Sequence, residues 1–127
     1  MKYYLLVLSF LLASLSFSQE PRFKIEDLTI TKWIDGTLLT PIDVDKPSLA
    51  IIIAGSGPTD RNGNQNFLKN NSLKKLAESI SNKGIASFRY DKRIVKQIRK
   101  GDVDKDIMFD DFVSDAEGVI NYFKEKE

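Results

Sequence analysis

Ser48-Leu49-Ala50-Ile51-Ile52-Ile53-Ala54 runs directly into Gly55-Ser56-Gly57-Pro58-Thr59-Asp60-Arg61-Asn62-Gly63-Asn64, and the reading of this stretch decides the fold. From Leu49 to Ala54 every residue is apolar. A strand with no polar face is buried on both faces, which is the pattern of a central parallel strand. The loop that follows is rich in glycine, asparagine and aspartate, which tolerate unusual backbone angles. Its place, at the C-terminal end of a parallel strand, is where α/β proteins bind ligands.

Downstream, Leu73, Leu76, Ala77 and Ile80 lie at i, i+3, i+4 and i+7, so a helix is predicted over Ser72 to Asn82. Asn71 or Ser72 can cap its start, and Gly84 suits its end. Ile85 to Tyr90 reads as a second strand. Strand, helix and strand in this order make a βαβ unit with parallel strands. Upstream, Phe23 to Lys32 alternates loosely and reads as a strand. Asp35-Gly36 is a hairpin-turn signal, Thr37 to Thr40 the return strand, and Pro41 its end. Arg89 to Lys100 carries six basic residues and Asp102 to Glu117 seven acidic ones, and both runs read as solvated surface. A further helix is expected over Phe109 to Lys124, with Phe109, Phe112, Val113, Ala116, Val119, Ile120 and Phe123 as its apolar stripe. Its early aspartates and late lysines match the helix dipole. The expected class is α/β: an N-terminal hairpin, a parallel βαβ unit and a following helix.

The 127 residues have room for one domain. Met1 to Ser18 reads as a signal peptide: Lys2, an apolar run, then small residues Ser16 and Ser18 before Gln19. The rival reading is a membrane anchor, but the run is short for about 30 Å of hydrocarbon. Cleavage between Ser18 and Gln19 implies a periplasmic or secreted product, with residues 19–127 forming the domain. The net charge of +1 falls to zero with the loss of Lys2. A neutral chain offers no electrostatic attraction to nucleic acid or to an anionic membrane. With no cysteine there is no disulfide, thiolate metal site or cysteine nucleophile. With no histidine the commonest general base and metal ligand are missing.

Gly55-Ser56-Gly57 allows consecutive backbone N–H groups to point into a cleft, where they hold a phosphate or a developing oxyanion. A tight turn without a ligand is the competing reading. Sharper motifs fail. The phosphate-binding G-x-x-x-x-G-K-[ST] spacing is absent. Asp60 stands where G-x-G-x-x-G needs its third glycine. The run from Asp60 has Gly63 at the fourth place of a calcium loop and Asn71 at the twelfth, and Asp102, Asp104 and Asp106 lack the later glycine and glutamate. No metal and no cofactor is therefore expected. Ser56 lacks the G-x-S-x-G frame of a nucleophile elbow, since Ala54 and Pro58 flank it. A serine–lysine pair remains an alternative at this level.

The run Ile53 to Asn64, then Lys69-Asn70-Asn71-Ser72-Leu73, then Gly84-Ile85-Ala86-Ser87-Phe88-Arg89-Tyr90-Asp91-Lys92-Arg93, resembles secreted bacterial α/β-hydrolases of the esterase and serine-aminopeptidase-like group. The resemblance extends over roughly Leu28 to Glu127. It implies that Ser56 and Gly57 supply backbone N–H donors to an oxyanion hole, with Gly55 allowing close approach. It implies that Asp60 and Arg61 brace the loop or line the cleft, and that Tyr90-Asp91-Lys92-Arg93 ends the fourth strand and borders the same cleft. The substrate would be a small-molecule ester, or a peptide. Ile94 and Val95 depart from the glycine and small residues the family places there. The nucleophile elbow, the triad acid and the histidine have no counterpart in these residues, so the chain reads as an N-terminal portion that is inactive alone. In the family's sheet order Ser48 to Ala54 lies between the fourth and fifth strands; without a fifth, it becomes an open edge and the chain is marginally stable. The second reading is a non-catalytic product, truncated or a small ligand-binding module.

Overall fold

The computed structural model describes residues 20–126. The segment read as a signal peptide, and the junction before Gln19, lie outside them. Four strands form one mixed sheet in the order β1-β2-β4-β3: β1 Phe23–Thr29, β2 Asp35–Pro41, β3 Leu49–Ile52 and β4 Ala86–Tyr90. Three helices accompany them, α1 Ser72–Ser81, α2 Arg93–Lys100 and α3 Phe109–Lys124. The architecture is α/β. β3 and β4 are parallel, with α1 between them in the chain, as the βαβ pattern predicts. The hairpin β1-β2 joins through β2, antiparallel to β4. Among the described residues no helix is long and apolar enough to cross a membrane.

β4 is the central element, and all five of its residues are buried. Alternation along the strand sends them to opposite faces. Phe88 and Tyr90 pack with Ile34 and Val119 of α3, and Phe123 meets Phe88 edge-on. Ser87 faces the other way, where its hydroxyl contacts Ser81 Oγ at 2.9 Å and donates to the Ala77 carbonyl. α1 and α3 therefore cover opposite faces of β4. Leu39, which pairs with Ser87, is buried on the α1 side, and Leu38, paired with Phe88, joins the α3 side.

Three expectations are corrected here. Asp35-Gly36 is not the hairpin turn. Both residues lie inside β2, and the chain reverses over residues 30–34, where Ile30 N–H bonds Ile34 O at 2.9 Å. Gly36 is present because the neighbouring strand fills its space: a Cβ there would run into the Phe88 ring and lie 2.9 Å from Arg89 O. Next, β3 is not buried on both faces. All four of its residues are half-buried, and Ile53 just beyond is 53 % exposed, because β3 is the edge of this sheet. Finally, the basic run is not plain solvated surface. Residues 93–100 form α2, which ends at Gly101 with φ 72°. Arg89 is buried, and Arg93, Lys96 and Arg99 are each paired with a carboxylate.

An unpaired apolar edge templates association. The stripe of α3 is also only partly used, since Phe109, Val113 and Ile120 remain exposed while Val119 is buried. The purified chain is expected to self-associate with rising concentration in sedimentation velocity. Ile53→Lys should suppress this with little loss of stability, and a monomeric parent chain at high concentration would count against an active edge.

Candidate functional site

The loop after β3 is held by its own polar residues. Asp60 Oδ1 accepts from the N–H groups of Asn62 and Asn64, each at 2.9 Å, and Asp60 O accepts from Gly63 N. Asn64 and Asn71 exchange two hydrogen bonds, at 2.8 and 2.9 Å. The start of α1 is not capped by the side chain of Asn71, whose backbone is left-handed, nor by Ser72. The carbonyl of Asn62 does this instead, accepting from Leu73 N and Lys74 N. Gly63, with φ 89°, lets the loop lie against this helix end; a Cβ there would strike Ser72 Oγ and sit 2.9 Å from Leu73 N.

Asp91 anchors the loop to the sheet. It is 2 % exposed, accepts from Arg61 N–H at 2.8 Å and from Arg99 Nη1 at 2.7 Å, and its own N–H donates to Asp35 O. The Arg61 side chain reaches toward Asp91 and Asp27. Asp60 and Arg61 thus brace the loop. Tyr90 lies in the core against Phe88, not at the cleft, and burial followed by the charge of Asp115 pushes its phenol up to about 12.

The parallel register pairs Ile52 with Arg89. Three residues further on, Gly55 and Lys92 leave the sheet side by side. Lys92 Nζ donates to Gly55 O at 2.5 Å and to Gly57 O at 2.6 Å. The carbonyl between them, Ser56 O, accepts from Thr59 Oγ1 at 3.1 Å, and Gln65 Nε2 in turn donates to Thr59 Oγ1. All three carbonyls of Gly55-Ser56-Gly57 are therefore taken. Among the described residues neither the Ser56 nor the Gly57 N–H has an acceptor. All peptide bonds here are trans, so each N–H points opposite to the carbonyl of its own peptide unit. The Ser56 N–H thus faces away from the Lys92 ammonium, and the Gly57 N–H away from Thr59.

Gly57 has φ 76° and needs to be glycine. Gly55 does not have that need: its φ is ordinary and a Cβ would meet nothing within 4 Å. Residues Ile53 to Pro58 form one side of an apolar cleft of about 610 Å³, completed by Lys92, Ile94, Ile98, Phe109 and Phe112. A second, more polar concavity of about 460 Å³ lies across Pro58 and Ile98, lined by Asp60, Asn64 and Arg99. Ser56 and Gly57, which carry the free amide groups, line the first and not the second, which makes it the candidate site. Burial pushes the Lys92 ammonium below its ordinary pKa. Even so, a lysine donating to two carbonyls is holding its protons, the opposite of what a base for Ser56 needs. A serine–lysine pair is not formed here.

Sequence reasoning placed Ser56 and Gly57 in the loop and, through the resemblance, Lys92 at the border of the cleft, but not its bonds to Gly55 O and Gly57 O. It also missed Arg99 and the helix that carries it. Gly101 following Arg99-Lys100 was the available signal, a helix C-terminus rich in basic residues. α2 is tied back by Lys96, whose Nζ lies 2.6 Å from Asp35 Oδ2. Burial alone would raise the Asp35 carboxyl, but hydrogen bonds from Lys96 and Thr29, with the charges of Lys96 and Arg61, outweigh it and hold the carboxyl below its ordinary value. A lowered carboxylate contributes stability above the ordinary value that is lost as pH falls through the folded one. Thermal melts over the acid range should therefore show stability declining below that ordinary value, with a shallower decline in Asp35→Asn; identical slopes would exclude this linkage. Comparison with known protein families, curated proteins and solved structures finds no match.

Proposed function

We propose that this chain forms one wall of a serine hydrolase of the α/β-hydrolase fold, acting on a carboxylic ester by acyl-enzyme chemistry. In this reading the Ser56 and Gly57 N–H groups stabilise the oxyanion, and the serine nucleophile and its histidine base come from residues outside these 127. The observation that supports it is the polarity of Gly55-Ser56-Gly57. Every carbonyl is tied back by a donor, and the amides are free, at the C-terminal end of a parallel strand. Donors fixed before the reaction need no reorganisation as charge develops on the substrate oxygen. A second donor, the N–H after the nucleophile, would come with the elbow. The acyl group would lie along Ile53, Ile94 and Phe112, and Lys92, Asp60 and Asp91 act as positioning residues for the loop. A strand added to the open edge of β3 would bring an elbow to the same end of the sheet. The chemistry needs no metal or cofactor, and the leader-like start fits a product exported to the periplasm or medium.

The test has two arms. The 127-residue chain is expected to show no burst with a p-nitrophenyl ester and no labelling by a fluorophosphonate, since it holds no histidine and no G-x-S-x-G. A form extended through the coding sequence beyond codon 127 is expected to label at a serine in that extension. Turnover by the shorter chain, labelling of Ser56, or an extension without such a serine overturns the reading.

A further inference from the structure

We propose that the cleft beside Gly55–Pro58 binds an apolar carboxylate, an alkyl chain with one anionic head held by the Lys92 ammonium. This goes beyond the hydrolase reading and needs no nucleophile. The cleft, about 610 Å³, is of the size that accommodates small molecules. Its walls are aliphatic and aromatic, with Ile53, Ile94, Ile98, Phe109 and Phe112 facing a tail. Among the described residues Lys92 is the single charged one in that lining.

The state of that charge selects the head group. Neighbouring cations are neutralised: Arg93 by Asp111 and Asp115, Lys96 by Asp35, Arg99 by Asp91. Among the described residues no carboxylate lies within 4 Å of Lys92 Nζ, whose partners Gly55 O and Gly57 O carry no formal charge. An ammonium has three N–H donors and two are used, so one donor and the full positive charge remain. Burial without a counter-ion disfavours this cation, and a ligand carboxylate would reverse that. A neutral head gains the same tail burial without the charge-assisted bond, and a cationic head is repelled.

The measurement is titration of the isotope-labelled 127-residue chain, followed through its backbone amides, with decanoate, decanamide and decyltrimethylammonium below their aggregation concentrations. Decanoate is expected to bind on the order of tenfold more tightly than decanamide, and the cationic amphiphile most weakly. Shifts should concentrate at Ile53 to Gly57 and Lys92 to Ile98. Lys92→Met should abolish the preference for decanoate over decanamide. Phe109→Asp, at a position 78 % exposed and so tolerant of change, should weaken both. Equal affinity for the three head groups on the unmodified chain overturns the proposal however the variants behave. So does binding that shifts residues elsewhere, or no binding. No binding, or binding elsewhere, would also remove the acyl placement along Ile53, Ile94 and Phe112, whereas a loss of head-group preference alone leaves the hydrolase reading to its own labelling test.

Discussion

Replacing Arg93 by alanine is expected to destabilise the fold by about 3–5 kcal/mol, a large share of the 5–15 kcal/mol typical of a domain. The guanidinium bridges two helices. Nε and Nη2 each lie 2.7 Å from one oxygen of Asp115, and Nη1 lies 2.6 Å from Asp111. The two partners are not equivalent. Asp115 on α3 is buried, with its side chain 7 % exposed, whereas Asp111 is 36 % exposed. Deleting the arginine leaves the Asp115 carboxylate out of water with no counter-charge, and that penalty dominates. Losing Asp111 removes the more exposed of the two pairs together with its bond from Met108 N, worth about 1 kcal/mol or less.

Urea denaturation of four variants separates these effects. Arg93→Ala and Asp115→Ala should each show a large drop in midpoint with similar slope. Asp111→Ala should show a small one. The double variant Arg93→Met with Asp115→Leu should recover most of the loss, because two apolar groups leave nothing unpaired. A small effect of Arg93→Ala would mean that α3 is held by Val119 and Phe123 alone, with the ion pair an ornament of the surface.

The same pair explains where sequence reading reached and where it stopped. β3, α1 and α3 were legible because their apolar spacing is local: six apolar residues in a row, and faces repeating at helical intervals. α2 was not. Its Arg93, Lys96 and Arg99 read as a charged, solvated run until Asp115, Asp35 and Asp91 are brought to them by the fold. Asp35-Gly36 misled for a related reason. Glycine after aspartate is a turn signal in isolation, but Gly36 answers to Phe88, which lies 52 positions away and one strand over. The start of α1 is capped by the carbonyl of Asn62, a backbone group that no residue letter announces. At the site, Gly55-Ser56-Gly57 was visible as a loop able to present amides. Lys92 acquires its meaning from strand register alone, since pairing of Ile52 with Arg89 is what sets residue 92 beside residue 55.

On the hydrolase proposal, an extended form that carries a nucleophile would lose about 10²–10³-fold in kcat with Ser56→Pro, whereas Ser56→Ala would stay near the parent value. The contrast follows from which atom is at work. Alanine removes the hydroxyl and keeps the N–H; proline removes the N–H. Neither Ser56 nor Gly55 has positive φ, so no left-handed angle opposes the change, and the urea midpoint of the variant checks that the loop accepts the ring. Proline also leaves Gly55 O with Lys92 and Ser56 O with Thr59, so the loop keeps its carbonyl ties. KM should change little, since an oxyanion donor bonds more strongly to the charged intermediate than to the ester carbonyl. The readouts are steady-state hydrolysis of a p-nitrophenyl ester and the urea midpoint of the same variant. A full kcat loss at unchanged stability assigns the amide to the oxyanion. Equal losses in alanine and proline would assign the hydroxyl instead, and an active proline variant would place the donors elsewhere in the cleft, leaving the free amides of this loop without a catalytic role.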